Sequence, residues 1–127
     1  MKSAIATARA PKAIGPYSQG VRAGGWVFVS GQLPLDPATG AMPTGAAEQT
    51  EACLRNVSAI LAQAGLDMKD VAKTTVFMTD LGQFAAMNEV YAKHFPAPCP
   101  ARATVQVAAL PKGAAVEIEA VAVVENR

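Results

Sequence analysis

Hydrophobic residues along this chain switch between the two-residue rhythm of strands and the three-and-four rhythm of helices. Three short stretches near the start, residues 3–7, 19–23 and 26–30, have the length and apolar content of strands. Gly24-Gly25 separates the last two and predicts a tight hairpin turn. Trp26, Val27, Phe28 and Val29 are apolar without alternation, which predicts a strand in the middle of a sheet, covered on both faces. Residues 32–45 read as loop, because Asp36-Pro37-Ala38-Thr39-Gly40 has turn chemistry.

The rhythm then becomes helical. Thr50, Cys53, Leu54, Val57, Ile60, Leu61 and Ala64 form one apolar stripe over residues 46–64. Glu48 and Glu51 suit its N-terminal dipole, and Gly65 suits its stop. Residues 71–78 are rich in β-branched side chains and predict another buried strand. Asp80 with Gln83 resembles a capping box that opens a second helix, whose stripe is Phe84, Met87, Tyr91 and Phe95. Pro96 and Pro98 end it. Asn88 falls on or beside that stripe, where an amide is either satisfied locally or presented to a ligand.

Two further strands are predicted at residues 103–108 and 115–124, with Leu110-Pro111-Lys112-Gly113 as a hairpin-like turn between them. In the last strand Val116, Ile118, Ala120 and Ala122 share a face, and Glu117, Glu119, Val121 and Val123 share the other. That mixed face suggests an edge or an interface. The order β-β-β-α-β-α-β-β predicts a single α+β domain over residues 1–127, with two helices on one face of one sheet. The opposite face stays apolar at Trp26, Val71 and Ala103, so it is expected to pack against other copies of the chain.

Composition sharpens this. Hydrophobic residues make up 51% of the chain and charged ones 17%, more apolar than one small core needs. Net charge is +1 with no basic cluster, which argues against nucleic acid or an anionic membrane as partner. Arg9, Pro11 and Lys12 interrupt a signal-like start, and the uncharged stretch 23–35 is short and broken by glycine and proline. A cytoplasmic protein is expected. Cys53 lies on the helix stripe and reads as core; Cys99, between two prolines, reads as a loop thiol.

Metal, phosphate and nucleophile chemistry have little to stand on. His94 is the only histidine and has no ligand partner at useful spacing, so no metal or cofactor is expected. Pro16 and Tyr17 break the glycine pattern of Gly15 to Gly20, and Ser18 and Ser30 lack a nucleophile-elbow context. The informative residue is Arg102, at the lip of an apolar strand, with no other basic residue between Lys93 and Lys112. Its guanidinium either reaches water or a structural acid such as Glu117 or Glu119, or grips a carboxylate with two parallel hydrogen bonds. Tyr17, Ser30, Gly31, Asn88, Thr104 and Glu117 are polar or bare positions at the borders of apolar segments. One cation, several neutral donors and an acid suit a small carboxylate with a polar neighbour.

Several motifs together resemble the Rid (YjgF) family, in particular its RidA subfamily of reactive intermediate deaminases. They are Ala13-Ile14-Gly15-Pro16-Tyr17-Ser18-Gln19, Val29-Ser30-Gly31-Gln32-Leu33-Pro34, Lys73-Thr74-Thr75-Val76-Phe77, Pro100-Ala101-Arg102 and Leu110-Pro111-Lys112-Gly113. The resemblance implies a chorismate-mutase-like fold and a homotrimer with an inner barrel and clefts between subunits. It implies hydrolysis of 2-imino acids or their enamines, such as 2-iminobutanoate and 2-iminopropanoate, to 2-oxo acids and ammonia, without a cofactor. By motif, Arg102 would clamp the substrate carboxylate, and Tyr17, Ser30, Gly31 and Asn88 would line the cleft. Thr104 would supply mainly backbone groups, and Glu117 would hold water or move a proton. Arg102, Tyr17 and Glu117 are thus the expected catalytic set. A non-catalytic trimer that binds small carboxylates as a sensor is the competing expectation, and ribonuclease activity is disfavoured by the scattered charge.

Overall fold

The computed structural model describes residues 1–125. β1 (Lys2–Ile5), β2 (Gly20–Ala23) and β3 (Trp26–Gln32) form an antiparallel meander. Gly24, at φ 58°, makes the turn between β2 and β3 in the left-handed region where a side chain is disfavoured. α1 (Ala46–Gln63) follows, then β4 (Val71–Met78), α2 (Phe84–Tyr91), β5 (Ala101–Gln106) and β6 (Val116–Val123). The six strands form one mixed sheet in the order β1-β2-β3-β6-β4-β5. This is the α+β order expected, with β3 and β4 in the sheet interior.

Two expectations fail in the sheet. β6 is central, antiparallel to both β3 and β4, and is no edge. Its mixed face suggested an edge or an interface; of these the edge is excluded, because both hydrogen-bonding sides of the strand are taken by β3 and β4, which the make-up of a face does not reveal. β5 pairs with β4 in parallel, so Leu110-Pro111-Lys112-Gly113 is no hairpin turn: it carries the chain past β4 to the far side. The crossover through α2 makes β4 and β5 parallel neighbours, and β5 becomes an edge.

One face of the sheet is sealed by the helices. Cys53, Leu54, Val57, Ile60 and Leu61 of α1 are buried against Val27, Val29, Val116, Ile118, Ala120 and Ala122. The predicted stripe is therefore the core, and Gly65 ends the helix as expected, its N–H donating to the Ala62 carbonyl. Val71, expected on the open face, is buried in this core instead. Asp80 does cap a turn, accepting from the Gly82 N–H, but that turn is a short 3-10 segment, Leu81–Gln83, and α2 starts after it without a capping box. The other sheet face is open and apolar: Trp26 is 48% and Phe28 46% exposed, with Val105 at 40% on the edge strand. Among the described residues no helix is long and apolar enough to cross a membrane.

Candidate active site

Arg102 lies on edge strand β5, in register with Thr74 of β4, whose side chain is buried on the helix side. Its guanidinium accordingly turns toward α2. Nη1 donates to Asn88 Oδ1 at 2.7 Å. The guanidinium carbon is 4.7 Å from the centre of the Tyr91 ring and 5.4 Å from that of Phe84, within cation–π range of both. Phe84, Asn88 and Tyr91 are spaced four and three residues apart, so one face of α2 presents ring, amide and ring together. Arg102 is exposed and makes no ion pair with an acid among the described residues. Neither Glu117 nor Glu119 is its partner. Asn88 uses one of its five N–H donors and leaves a fork available to an incoming anion.

α2 is itself anchored. Tyr91 shares a 2.7 Å hydroxyl–hydroxyl hydrogen bond with Thr74. Just beyond its end, His94 Nε2 meets Glu51 Oε1 of α1 at 2.8 Å, so the histidine is a helix–helix tie. Thr104 lies two residues after Arg102 on the same strand face, and its Oγ1 is buried without a hydrogen-bond partner.

The other expected residues line a groove of about 730 Å³ around the end of β3: Tyr17, Ser30, Gly31 and Glu117, with Lys12 and Lys112 at its walls. A β-bulge builds it. The β3–β6 register shifts between Val29 and Gln32, which re-aims Ser30 and Gly31. Ser30 Oγ donates to the Ser18 carbonyl at 2.6 Å, and the Ser30 N–H donates to the Gln19 carbonyl at 2.9 Å. The buried Gln19 side chain holds the preceding arm by accepting from the Thr7 N–H and donating to Pro11 O. Asn56 of α1 donates to the carbonyls of Leu33 and Leu35, fixing the loop that leaves the groove.

Glu117 packs its carboxylate directly against Gly31. A Cβ there would collide with Glu117 Oε2 and lie 3.0 Å from its Cδ, so the bare glycine makes room for the acid. Burial holds the Glu117 carboxyl above the usual carboxylate range, and the nearby charge of Glu119 adds to the effect. Such a group takes and gives a proton closer to neutrality than a free glutamate. Cys53, behind it in the core, is no rival nucleophile: burial, then the Glu117 charge, push its thiol pKa far up.

The structure therefore gathers the expected residues into two sets. Arg102, Asn88 and Thr104 belong to the β5–α2 side, and Tyr17, Ser30, Gly31 and Glu117 to the groove. They do not meet within one chain. Glu117 alternates with the buried Val116 and Ile118, so it points away from the helices, whereas Arg102 points toward them. Two strand spacings, about 10 Å, also separate β6 from β5. Phe84, Tyr91 and Thr74 were not expected at the site. The signal for the first two was present, since they flank Asn88 at helical spacing, but they read equally well as core.

The Endoribonuclease L-PSP family profile matches residues 7–124. The chain is 57% identical to RutC family protein y4sK of Sinorhizobium fredii over 92% of this chain and 94% of that one. It is 49% identical to the 2-iminobutanoate/2-iminopropanoate deaminase of Bos taurus, covering 97% of this chain and 90% of the bovine one. Escherichia coli TdcF with bound serine superposes with a TM-score of 0.90 at 51% identity, over 95% of this chain and 98% of that one. The yjgF gene product of Escherichia coli does so at 0.92 and 48%, over 97% and 99%. The chain belongs to the Endoribonuclease L-PSP family, the Rid (YjgF) family to which its motifs pointed.

Proposed function

We propose that this protein hydrolyses 2-imino acids, or their enamine tautomers, to 2-oxo acids and ammonia, in clefts formed where copies of the chain meet. The observation that carries the reading is Arg102: a guanidinium held by an amide and two rings, with no acid paired to it among the described residues. That arrangement suits a ligand carboxylate. The bovine relative is named as a 2-iminobutanoate/2-iminopropanoate deaminase, and TdcF has been crystallised with serine, an amino acid that offers such a carboxylate.

Glu117 and Arg102 face opposite sides of the sheet, so a single chain does not offer both to one small substrate. A neighbouring copy does, if its groove sits against the β5 edge. The open face favours this association: Trp26 and Phe28 each stand to gain about 1.5–3 kcal/mol on full burial. We take the assembly to be a homotrimer, with the open faces forming its interior.

In the cleft the substrate carboxylate lies on Arg102, and the imine carbon is turned toward the groove. Water adds to that carbon as a proton leaves it for Glu117. The imine nitrogen gains a proton, giving a carbinolamine; its amino group then takes up the proton held by Glu117, the carbon–nitrogen bond breaks as ammonia departs, and the hydroxyl gives up its proton as the C=O forms. Tyr17 and Ser30 line the path of these protons. An imine hydrolyses unaided, so orientation and proton transfer suffice; the latter is worth about 10²–10⁴-fold. A ribonuclease reading has less support, because the two groove lysines are offset by Glu117 and Glu119 and the net charge is only +1.

The test is ammonia release from freshly generated 2-iminobutanoate. The wild-type protein is expected to exceed the buffer rate, and Arg102→Ala to lose about a hundredfold in kcat/KM. Equal rates for wild type, variant and buffer would leave a carboxylate-binding protein without this activity.

A further inference from the structure

Tyr91 lends its ring to Arg102 and has in addition a buried hydroxyl that the proposed chemistry does not use. Its ring is nearer the Arg102 guanidinium than that of Phe84, at 4.7 Å against 5.4 Å. Its hydroxyl is joined at 2.7 Å to Thr74, which is 1% exposed and is the register partner of Arg102 on the adjacent strand. The chain thus runs in a closed loop: strand β4 holds Thr74, Thr74 holds Tyr91, Tyr91 backs Arg102, and β5 returns to β4 by its ladder. Buried hydroxyls require partners, and each of these two satisfies the other. Burial holds the Tyr91 phenol above its ordinary pKa, although Thr74 and Arg102 oppose this, so it stays neutral beside the cation.

We infer that Tyr91, pinned by Thr74, is a positioning residue that fixes the direction in which Arg102 presents its donors to the substrate carboxylate. The inference rests on the reading of Arg102 given above and adds two residues to it. An exposed arginine otherwise samples many rotamers, and ordering it on binding weakens affinity. Here the aromatic face limits the plane of the guanidinium, and Asn88 limits its rotation within that plane. The Thr74 bond matters because without it the Tyr91 ring is free to shift while remaining buried.

The test uses Tyr91→Phe and Thr74→Val, which keep ring and volume and delete the same hydrogen bond from either end. Binding of 2-oxobutanoate is measured by calorimetry, alongside KM and kcat for 2-iminobutanoate. Each variant is expected to weaken Kd and raise KM about threefold to tenfold, with kcat changed less than about twofold. The double variant is expected to be no worse than the poorer single one. In an Arg102→Ala background the two changes are expected to have no further effect on Kd. Wild-type affinity in both single variants, or equal losses with and without Arg102, would overturn the positioning role while leaving the deaminase reading intact. A wild-type protein that neither binds 2-oxobutanoate nor releases ammonia would overturn that reading itself, and this role with it.

Discussion

The β5–α2 side and the β3–β6 groove reach readiness by different means. On the first, side chains do the work: Asn88, Phe84 and Tyr91 converge on Arg102 from one helix face. On the second, backbone does it: a bulge turns Ser30 and Gly31 outward, and a missing Cβ admits Glu117. A cation can be left exposed and still aimed, provided flat groups hold it. A carboxylate meant to exchange protons is instead partly withdrawn from water, which raises its pKa. On the proposed function the two regions have different tasks, anchoring and proton transfer, and substitutions are expected to separate them by their kinetic signatures.

Glu117→Gln makes the sharpest break. It is expected to lower kcat for 2-iminobutanoate about 10²–10⁴-fold with KM little changed, measured by ammonia release. Full turnover would move the proton-carrying role to Tyr17 or to water. Arg102→Ala is expected to act mainly through KM, so that its loss of about a hundredfold in kcat/KM contrasts with the kcat loss at Glu117. If both variants lowered the same parameter, the division of labour would be wrong.

Gly31→Ala probes the groove without substituting either charged group. The new methyl would displace the Glu117 carboxylate, and a loss of about 10- to 100-fold in kcat is expected at unchanged thermal stability. Smaller still is Glu119→Gln. If Glu117 carries the proton as proposed, its ionisation sets the acid limb of kcat/KM, and its pKa lies above the ordinary value through burial and, after that, Glu119. Removing that charge is expected to move the limb to lower pH. Stability follows the same linkage: because the folded-state pKa is raised, the favourable contribution is present below the unfolded value and is lost as pH rises through the folded one. Glu117→Gln is therefore expected to flatten the fall in Tm across that window.

Much of this was legible along the chain. The α1 stripe over Thr50, Cys53, Leu54, Val57, Ile60 and Leu61 is buried as its spacing requires, because a helix stripe has one way to face a sheet. β6 was harder. Glu117 and Glu119 on one face with Val121 and Val123 suggested an edge or an interface, yet the strand is central because β3 and β4 pair with its two sides, and face composition does not report lateral position. The parallel pairing of β5 with β4 left no local trace, since it depends on where the α2 crossover returns the chain. For Arg102 the residue type and position were informative, but its partner Asn88 lies fourteen residues away on another element, where spacing along the chain says nothing. Membership of the two site halves, and their opposite directions, came only from the register of the sheet.

The central claim is that these halves serve one another between copies, and subunit mixing tests it most directly. Arg102→Ala and Glu117→Gln proteins, each nearly inactive, would be dissociated together, reassociated and assayed for 2-iminobutanoate hydrolysis. If each cleft takes Arg102 from one copy and Glu117 from its neighbour, random mixing regenerates intact clefts and roughly a quarter of wild-type activity returns. If the mixture re-forms oligomers containing both variants and stays as inactive as its components, the two residues do not meet across subunits and the account is contradicted.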